Sequence, residues 1–133
     1  MKASASAQAL LDRWEKGNVL AAECPSRAVL QHLTNRWGTL VMLVLSAAPS
    51  LRFAQLRRRV GGVSERMLAQ TLQQLEADGF VLRVAHDVVP PHVDYSLTPL
   101  GQEVAPHLVD LVTWIETALP RILSAAPARH AAE

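Results

Sequence analysis

The sequence predicts a mainly α-helical domain with one small β-hairpin in its second half. Between residues 5 and 78, apolar side chains recur three or four positions apart, the spacing of one face of an amphipathic helix. Between residues 80 and 97 the apolar period shortens to two, as in a strand. The chain has 133 residues, 50% of them hydrophobic, and is therefore predicted to form one domain with its own core.

The chain is predicted to open with two helices. Ala5 to Lys16 forms the first, with its apolar side chains on one face: Leu10, Leu11 and Trp14. The second begins at Cys24 and Pro25, because proline has the φ angle that the first helical position needs and gives up no helical hydrogen bond there. Asn35 is the predicted C-terminal cap of this second helix.

Three further helices follow before the hairpin. Trp37 to Ala48 is apolar on nearly every side and is expected to lie at the centre of the domain. Arg52 to Val60 is a short helix that Gly61 and Gly62 interrupt. Ser64 then provides an N-cap for Glu65 to Asp78, whose leucines form one stripe.

The last third combines a hairpin with a long helix. Residues 80–85 and 93–97 are β-prone runs separated by a loop from His86 to His92. Thr98 caps a helix that reaches about Leu119, and Pro106 is predicted to kink it or to split off its first turn. Its predicted buried residues are Val104, Leu108, Leu111, Val112 and Ile115.

Charge is distributed unevenly along the chain. The net charge is only +1, but residues 36–85 hold seven arginines against three acidic residues, a local net of +4. Residues 86–133 hold two arginines against six acidic residues, a net of −4. A basic middle third indicates an anionic partner such as nucleic acid, although a solvated surface has the same composition.

Several classes of protein are excluded on composition. No apolar run reaches the roughly 18 residues of a membrane span, and the N-terminus lacks the apolar stretch of a secretory signal. A single cysteine, Cys24, excludes an internal disulfide framework. We therefore expect a soluble cytoplasmic protein with no membrane partner.

Residues 52–97 carry the pattern of a DNA-binding unit: short helix, glycine turn, amphipathic helix, hairpin. Arginine and glutamine on the outer face of the second helix suit guanine and adenine edges in a major groove. Arginines of the preceding helix suit phosphates, and the hairpin is a wing that contacts the backbone or the minor groove. The candidate DNA-binding residues are Arg52, Arg57, Arg58, Arg59, Ser64, Arg66, Ala69, Gln70, Gln73, Arg83, His86 and His92.

Functions other than DNA binding have less support in the sequence. A winged helix that docks another protein without binding DNA is the alternative, but the arginine cluster and the polar helix face argue against it. No acid–base pair or phosphate-binding loop is visible, so neither an enzyme nor a cofactor is expected. None of the five histidines has a second histidine or a cysteine four residues away, so no metal site is expected.

The sequence resembles the HxlR-type winged helix-turn-helix transcriptional regulators in three segments and one tryptophan. They are CPSRAVLQHLTNRWGTL, LRFAQLRRRVGGVSERMLAQTLQQLEADGFVLR, VPPHVDYSLTPLG and Trp114. The resemblance spans Cys24 to Trp114 and implies a homodimer whose recognition helix is Ser64 to Asp78. Asn35-Arg36 replaces the usual Gly-Lys, and His86 stands where an aromatic residue is common.

The resemblance also implies that the terminal helices form the dimer interface. The predicted division is an N-terminal dimerisation helix and linker (1–23), a winged helix-turn-helix core (24–99), a C-terminal dimerisation helix (100–125) and a disordered tail (126–133). A twofold dimer is expected to bind an inverted-repeat operator in double-stranded DNA. Trp37 and Trp114 are candidates for lining a cleft that holds an aromatic effector, or simply for packing.

Cys24 is a candidate redox-sensing residue. It lies at a helix N-terminus with Arg27 one turn on, and both features favour the thiolate. The resemblance implies sensing of electrophiles or oxidants by a cysteine at this Cys-Pro position. The alternative is a small, semi-buried structural residue.

Overall fold

A computed structural model describes residues 4–13 and 19–125, and within them the chain forms six helices and three strands. In chain order they are α1 (Ala5–Arg13), α2 (Pro25–Thr34), α3 (Gly38–Ser46), β1 (Leu51–Arg52), α4 (Phe53–Arg59), α5 (Glu65–Ala77), β2 (Val81–His86), β3 (His92–Leu97) and α6 (Pro99–Ala125). Trp14 and the predicted tail at 126–133 lie outside the described residues. None of the described helices combines the length and the apolar character that a bilayer crossing requires.

The core lies where α3 meets α5. Val41 and Met42 of α3 are fully buried, as are Leu68 and Leu75 of α5, and all four belong to one apolar cluster. Burial of the α5 leucines confirms the predicted stripe and leaves the polar side of this helix facing outward. The hydrophobic period therefore orients α5 before any polar contact is considered.

A three-stranded antiparallel sheet packs beside the helices, in the order β1-β3-β2. The hairpin of β2 and β3 was predicted, but β1 was not. Arg52 is a strand residue that pairs with Asp94, and α4 begins one residue later than predicted. The strand was missed because two residues are too few to show a period of two. Arg52 also resembles a helix start, because its backbone N–H donates to Gln55 Oε1 at 2.8 Å.

The C-terminal helix α6 differs from its prediction in three ways. It runs without interruption through Pro106, so the proline does not split off the first turn. It ends at Ala125, beyond the Leu119 that the apolar spacing indicated and at the residue that the resemblance implied. Leu108 is buried as predicted. Leu111 and Ile115 are exposed in the single chain, so the prediction that this chain buries them was wrong. Spacing identifies an apolar face but not what covers it.

A close backbone contact joins α5, the wing and α6. Gly79, with φ of +87°, ends α5, and the N–H of Phe80 donates to the Leu75 carbonyl at 2.9 Å. The Phe80 carbonyl accepts from the N–H of Thr98 at 3.0 Å. A Cβ at Gly101 would lie 2.2 Å from this carbonyl oxygen, so only glycine allows α6 to approach so closely.

Replacing Gly101 with alanine is therefore expected to destabilise the protein, although alanine in a helix interior is ordinarily better than glycine by about 1 kcal/mol. The added methyl group must displace the Phe80 backbone, and overpacking of this kind costs about 1–3 kcal/mol. The free energy of unfolding is measured by urea titration with circular dichroism.

Gly61→Ala is the matched control for that experiment. No atom lies within 4 Å of a Cβ at Gly61, so its free energy of unfolding should change by less than about 0.5 kcal/mol. A Gly101→Ala protein as stable as the wild type would contradict the role assigned to this contact.

Candidate DNA-binding surface

The candidate surface is built on the outward face of α5. Ser64 is the N-cap, and its hydroxyl accepts the backbone N–H of Met67 at 3.1 Å, as predicted. Arg66, Gln70 and Gln73 are exposed on the side opposite the buried leucines. Ala69 is half-buried at the edge of this face. The arrangement presents donors and acceptors from the first nine of the 13 residues of α5, a helix packed against the core.

The arginines of α4 lie in its last turn, where the helix C-terminus favours positive charge. All three are exposed, but Arg57 Nη1 lies 2.8 Å from Glu65 Oε1 in the first turn of α5. Arg58 and Arg59 form no ion pair with any part of the chain that the structure describes. Glu65 was given no role from the sequence, yet it partly neutralises one of the predicted phosphate contacts.

Arg83 joins the α5 surface from the wing. Side chains alternate along a strand, so Arg83 of β2 lies on the same face of the sheet as the buried residues Val81 and Tyr95. It lines a cavity of about 410 Å³ between the wing and the helix, together with Ala69, Leu72, Gln73, Glu76 and Tyr95. The prediction of Arg83 as a wing contact is thus compatible with its position beside Gln73.

His86 and His92 lie on the opposite face of the wing from Arg83. They are paired across β2 and β3, and their rings stack with centroids 4.5 Å apart. His86 Nε2 lies 2.7 Å from Asp94 Oδ2, so a carboxylate holds the ring that was predicted to contact DNA. Arg52 is opposite Asp94 on β1, so it belongs to this face rather than to the surface of α4.

The strand pairing brings the two histidines together with a carboxylate, although no helical spacing relates them in the sequence. One ligating atom from each of His86, His92 and Asp94 lies within 4.8 Å of the others. Residues that meet through strand pairing need no helical spacing in the sequence.

Cys24 is buried, with 4% of its surface exposed, as the N-cap residue of α2. Burial raises the pKa of its thiol, but hydrogen bonds from the side chain and backbone of Ser26 and the backbone of Arg27 outweigh burial and lower the pKa below its ordinary value. The guanidinium of Arg27 instead donates to the Leu20 carbonyl at 3.0 Å. Arg27 therefore lowers the pKa of the Cys24 thiol through its backbone N–H, and not through its charge as predicted.

The C-terminal end of α2, opposite the end that begins at Cys24, contacts the C-terminal end of α5. His32 Nδ1, in the last turn of α2, lies 2.6 Å from Asp78 Oδ2 at the C-cap of α5, and both side chains are partly buried. This pair links the helix that begins at Cys24 to the helix that carries the candidate DNA contacts.

The two candidate cleft tryptophans have different surroundings. Trp37 is half-buried, with Gly62 beside it and the Arg36 guanidinium 4.7 Å from its ring centroid. Trp114 is 56% exposed on α6. Among the described residues of one chain no ring contact joins the two.

The chain is similar to known proteins over most of its length. Residues 32–122 match the HxlR-like helix-turn-helix family. An uncharacterized HTH-type transcriptional regulator, YtfH of Escherichia coli, is 52% identical over 122 residues, which are 92% of this chain and 96% of the relative.

Two solved proteins have similar folds at substantial sequence identity. The structure of ytfH from Salmonella typhimurium is 55% identical, with a TM-score of 0.77 over 83% of this chain and 97% of that chain. The redox regulator HypR in its reduced form is 31% identical, with a TM-score of 0.69 over 75% of this chain and 98% of that chain.

Proposed function

The chain belongs to the HxlR-like helix-turn-helix family of transcriptional regulators, and we propose that it is a homodimer that binds specific DNA sequences through α5. One observation carries the proposal: Arg66, Gln70 and Gln73 are exposed along one side of α5, and the opposite side of this helix is buried in the core. A helix held in this way can enter a major groove without changing its own packing.

Two kinds of contact are assigned to two parts of this surface. Arg58 and Arg59 lie at the end of α4 and form no ion pair with a described residue. They are suited to phosphates, which fix the position of the protein but read no sequence. Arg66 and Gln70 are one turn apart on α5 and are suited to base edges. Arg83 extends the surface toward the backbone beside the groove.

A homodimer is proposed because α6 exposes a row of large apolar side chains. These are Leu111, Trp114, Ile115, Leu119 and Leu123. Their spacing of three or four residues makes one face of the helix, and Leu10 of α1 is also exposed. A second copy that covers this face would place two α5 helices for the half-sites of an inverted repeat.

The division between phosphate and base recognition predicts two distinct mutant phenotypes. Arg58→Ala/Arg59→Ala should weaken binding to all duplexes alike and lower the salt dependence by about one unit for each phosphate that the variant no longer neutralises. Gln70→Ala should cost about 1–3 kcal/mol at one base position and leave the salt dependence unchanged. Both are measured by fluorescence anisotropy on a duplex selected from a random library and on its single-base variants.

Gln102→Ala, which changes an exposed glutamine of α6, is the control and should bind like the wild type. Uniform weakening by Gln70→Ala would make Gln70 a backbone contact. Failure of the wild type to select any duplex would favour the alternative of a protein-docking winged helix.

The dimer is tested by charge placed on the α6 face. Leu111→Asp should convert a dimer into a monomer in light scattering at micromolar concentration, because a buried carboxylate without a partner is costly. Val89→Asp, at a wing position that is 99% exposed, should leave the mass unchanged. A wild-type monomer under the same conditions would contradict the proposed interface.

Redox control through Cys24 is a second candidate function, favoured by the hydrogen bonds that lower its thiol pKa. The thiolate is the form that attacks oxidants and electrophiles. Because Cys24 is the only cysteine, it reacts by modification or by a disulfide between two subunits. Bulk added at this buried helix start must displace α2, and the pair of His32 and Asp78 connects α2 to α5.

Diamide or a quinone is therefore expected to lower DNA affinity in the wild type and to leave Cys24→Ser unaffected. The thiol pKa, measured from the pH dependence of alkylation, should lie below the free value of about 8.5. Equal responses of the two proteins to the oxidant would make Cys24 a structural residue.

A further inference from the structure

The outer face of the wing gathers three side chains that the proposed DNA contacts do not use. His92 and Asp94 are two residues apart on β3 and so share a face. His86 is directly opposite His92 in the strand register. The fold thus holds two imidazoles and one carboxylate together just before and after the loop of residues 87–91.

We propose that His86, His92 and Asp94 bind a zinc ion. Imidazole nitrogen and carboxylate oxygen are ordinary zinc ligands, and three protein ligands with a water in the fourth position make a complete coordination shell. The proposal is independent of DNA binding, because it depends only on the wing.

The distances are close to those of a zinc site. Ligand atoms around tetrahedral zinc lie roughly 3.3 Å apart, given bonds of about 2.0–2.1 Å. Asp94 Oδ2 lies 2.7 Å from His86 Nε2 and 3.9 Å from His92 Nε2. The three side chains are between a quarter and two fifths exposed, so small rotations suffice to equalise these distances and water can reach the site.

Zinc binding would change the contacts and the charge of the wing. Zinc would replace the hydrogen bond between His86 Nε2 and Asp94 Oδ2, and each imidazole would bind the ion through a ring nitrogen that carries no proton while the other ring nitrogen carries one. Residues 81–97 contain Arg83 against Asp87 and Asp94, a formal net of −1 that a zinc ion would change to +1. Arg52 lies opposite Asp94 on β1, so its positive charge is on the same face of the sheet as the proposed ligands.

Zinc binding is measured by isothermal titration of the full chain after removal of metal with a chelator. The wild type should bind one zinc ion per chain. His86→Ala and His92→Ala should each weaken binding at least ~10-fold, since even residues that only orient ligands contribute that much. Asp94→Asn, which keeps the shape of the side chain, should weaken it similarly, and circular dichroism checks that each variant is folded.

Two controls separate this site from other ligands in the chain. His107→Ala removes an exposed histidine of α6 and Cys24→Ser removes the thiol, and both should bind zinc like the wild type. Cobalt substituted for zinc should show the visible absorption of four-coordinate geometry in the wild type, and this absorption should be absent in His92→Ala. Equal affinities of wild type and the His86 and His92 variants, or abolished binding in Cys24→Ser, would overturn the proposal.

Discussion

The contact between the Phe80 carbonyl and Gly101 sets the positions of α5, the wing and α6 relative to one another. The end of α5, the start of β2 and the start of α6 all meet there. The Thr98 hydroxyl adds to it, since it donates to the Gly79 carbonyl and accepts the N–H of Gly101. This contact joins α5, the helix proposed to read bases, to the wing beside it. The position of α5 relative to the wing is therefore set by the fold and does not depend on a bound partner.

Apolar burial, rather than charge, orients the outward face of α5. Each fully buried leucine contributes about 1.5–3 kcal/mol, and Leu68, Leu72 and Leu75 are all at most 2% exposed. The ion pair of Arg57 and Glu65 is exposed and contributes at most about 1 kcal/mol. Glu65 can therefore release Arg57 to a phosphate at little cost, without disturbing the helix that carries Arg66 and Gln70.

Local periodicity predicted most of the fold and the side of α5 that faces outward. It failed where contacts are set by tertiary structure. The strand at Arg52 is too short to have a period, and the cluster of His86, His92 and Asp94 exists only through the register of β2 and β3. Leu111 was placed in the core because an apolar face has the same pattern whether its own chain or a second chain covers it.

The proposal that α5 contacts DNA is tested most directly by backbone amide NMR of the protein, free and bound to the duplex that it selects from a random library. We expect the largest chemical-shift changes at residues 58–73 and at Arg83, and only small changes at His86 and His92 on the other face of the wing. Changes confined to α6, with the amides of α5 unmoved, would contradict the account.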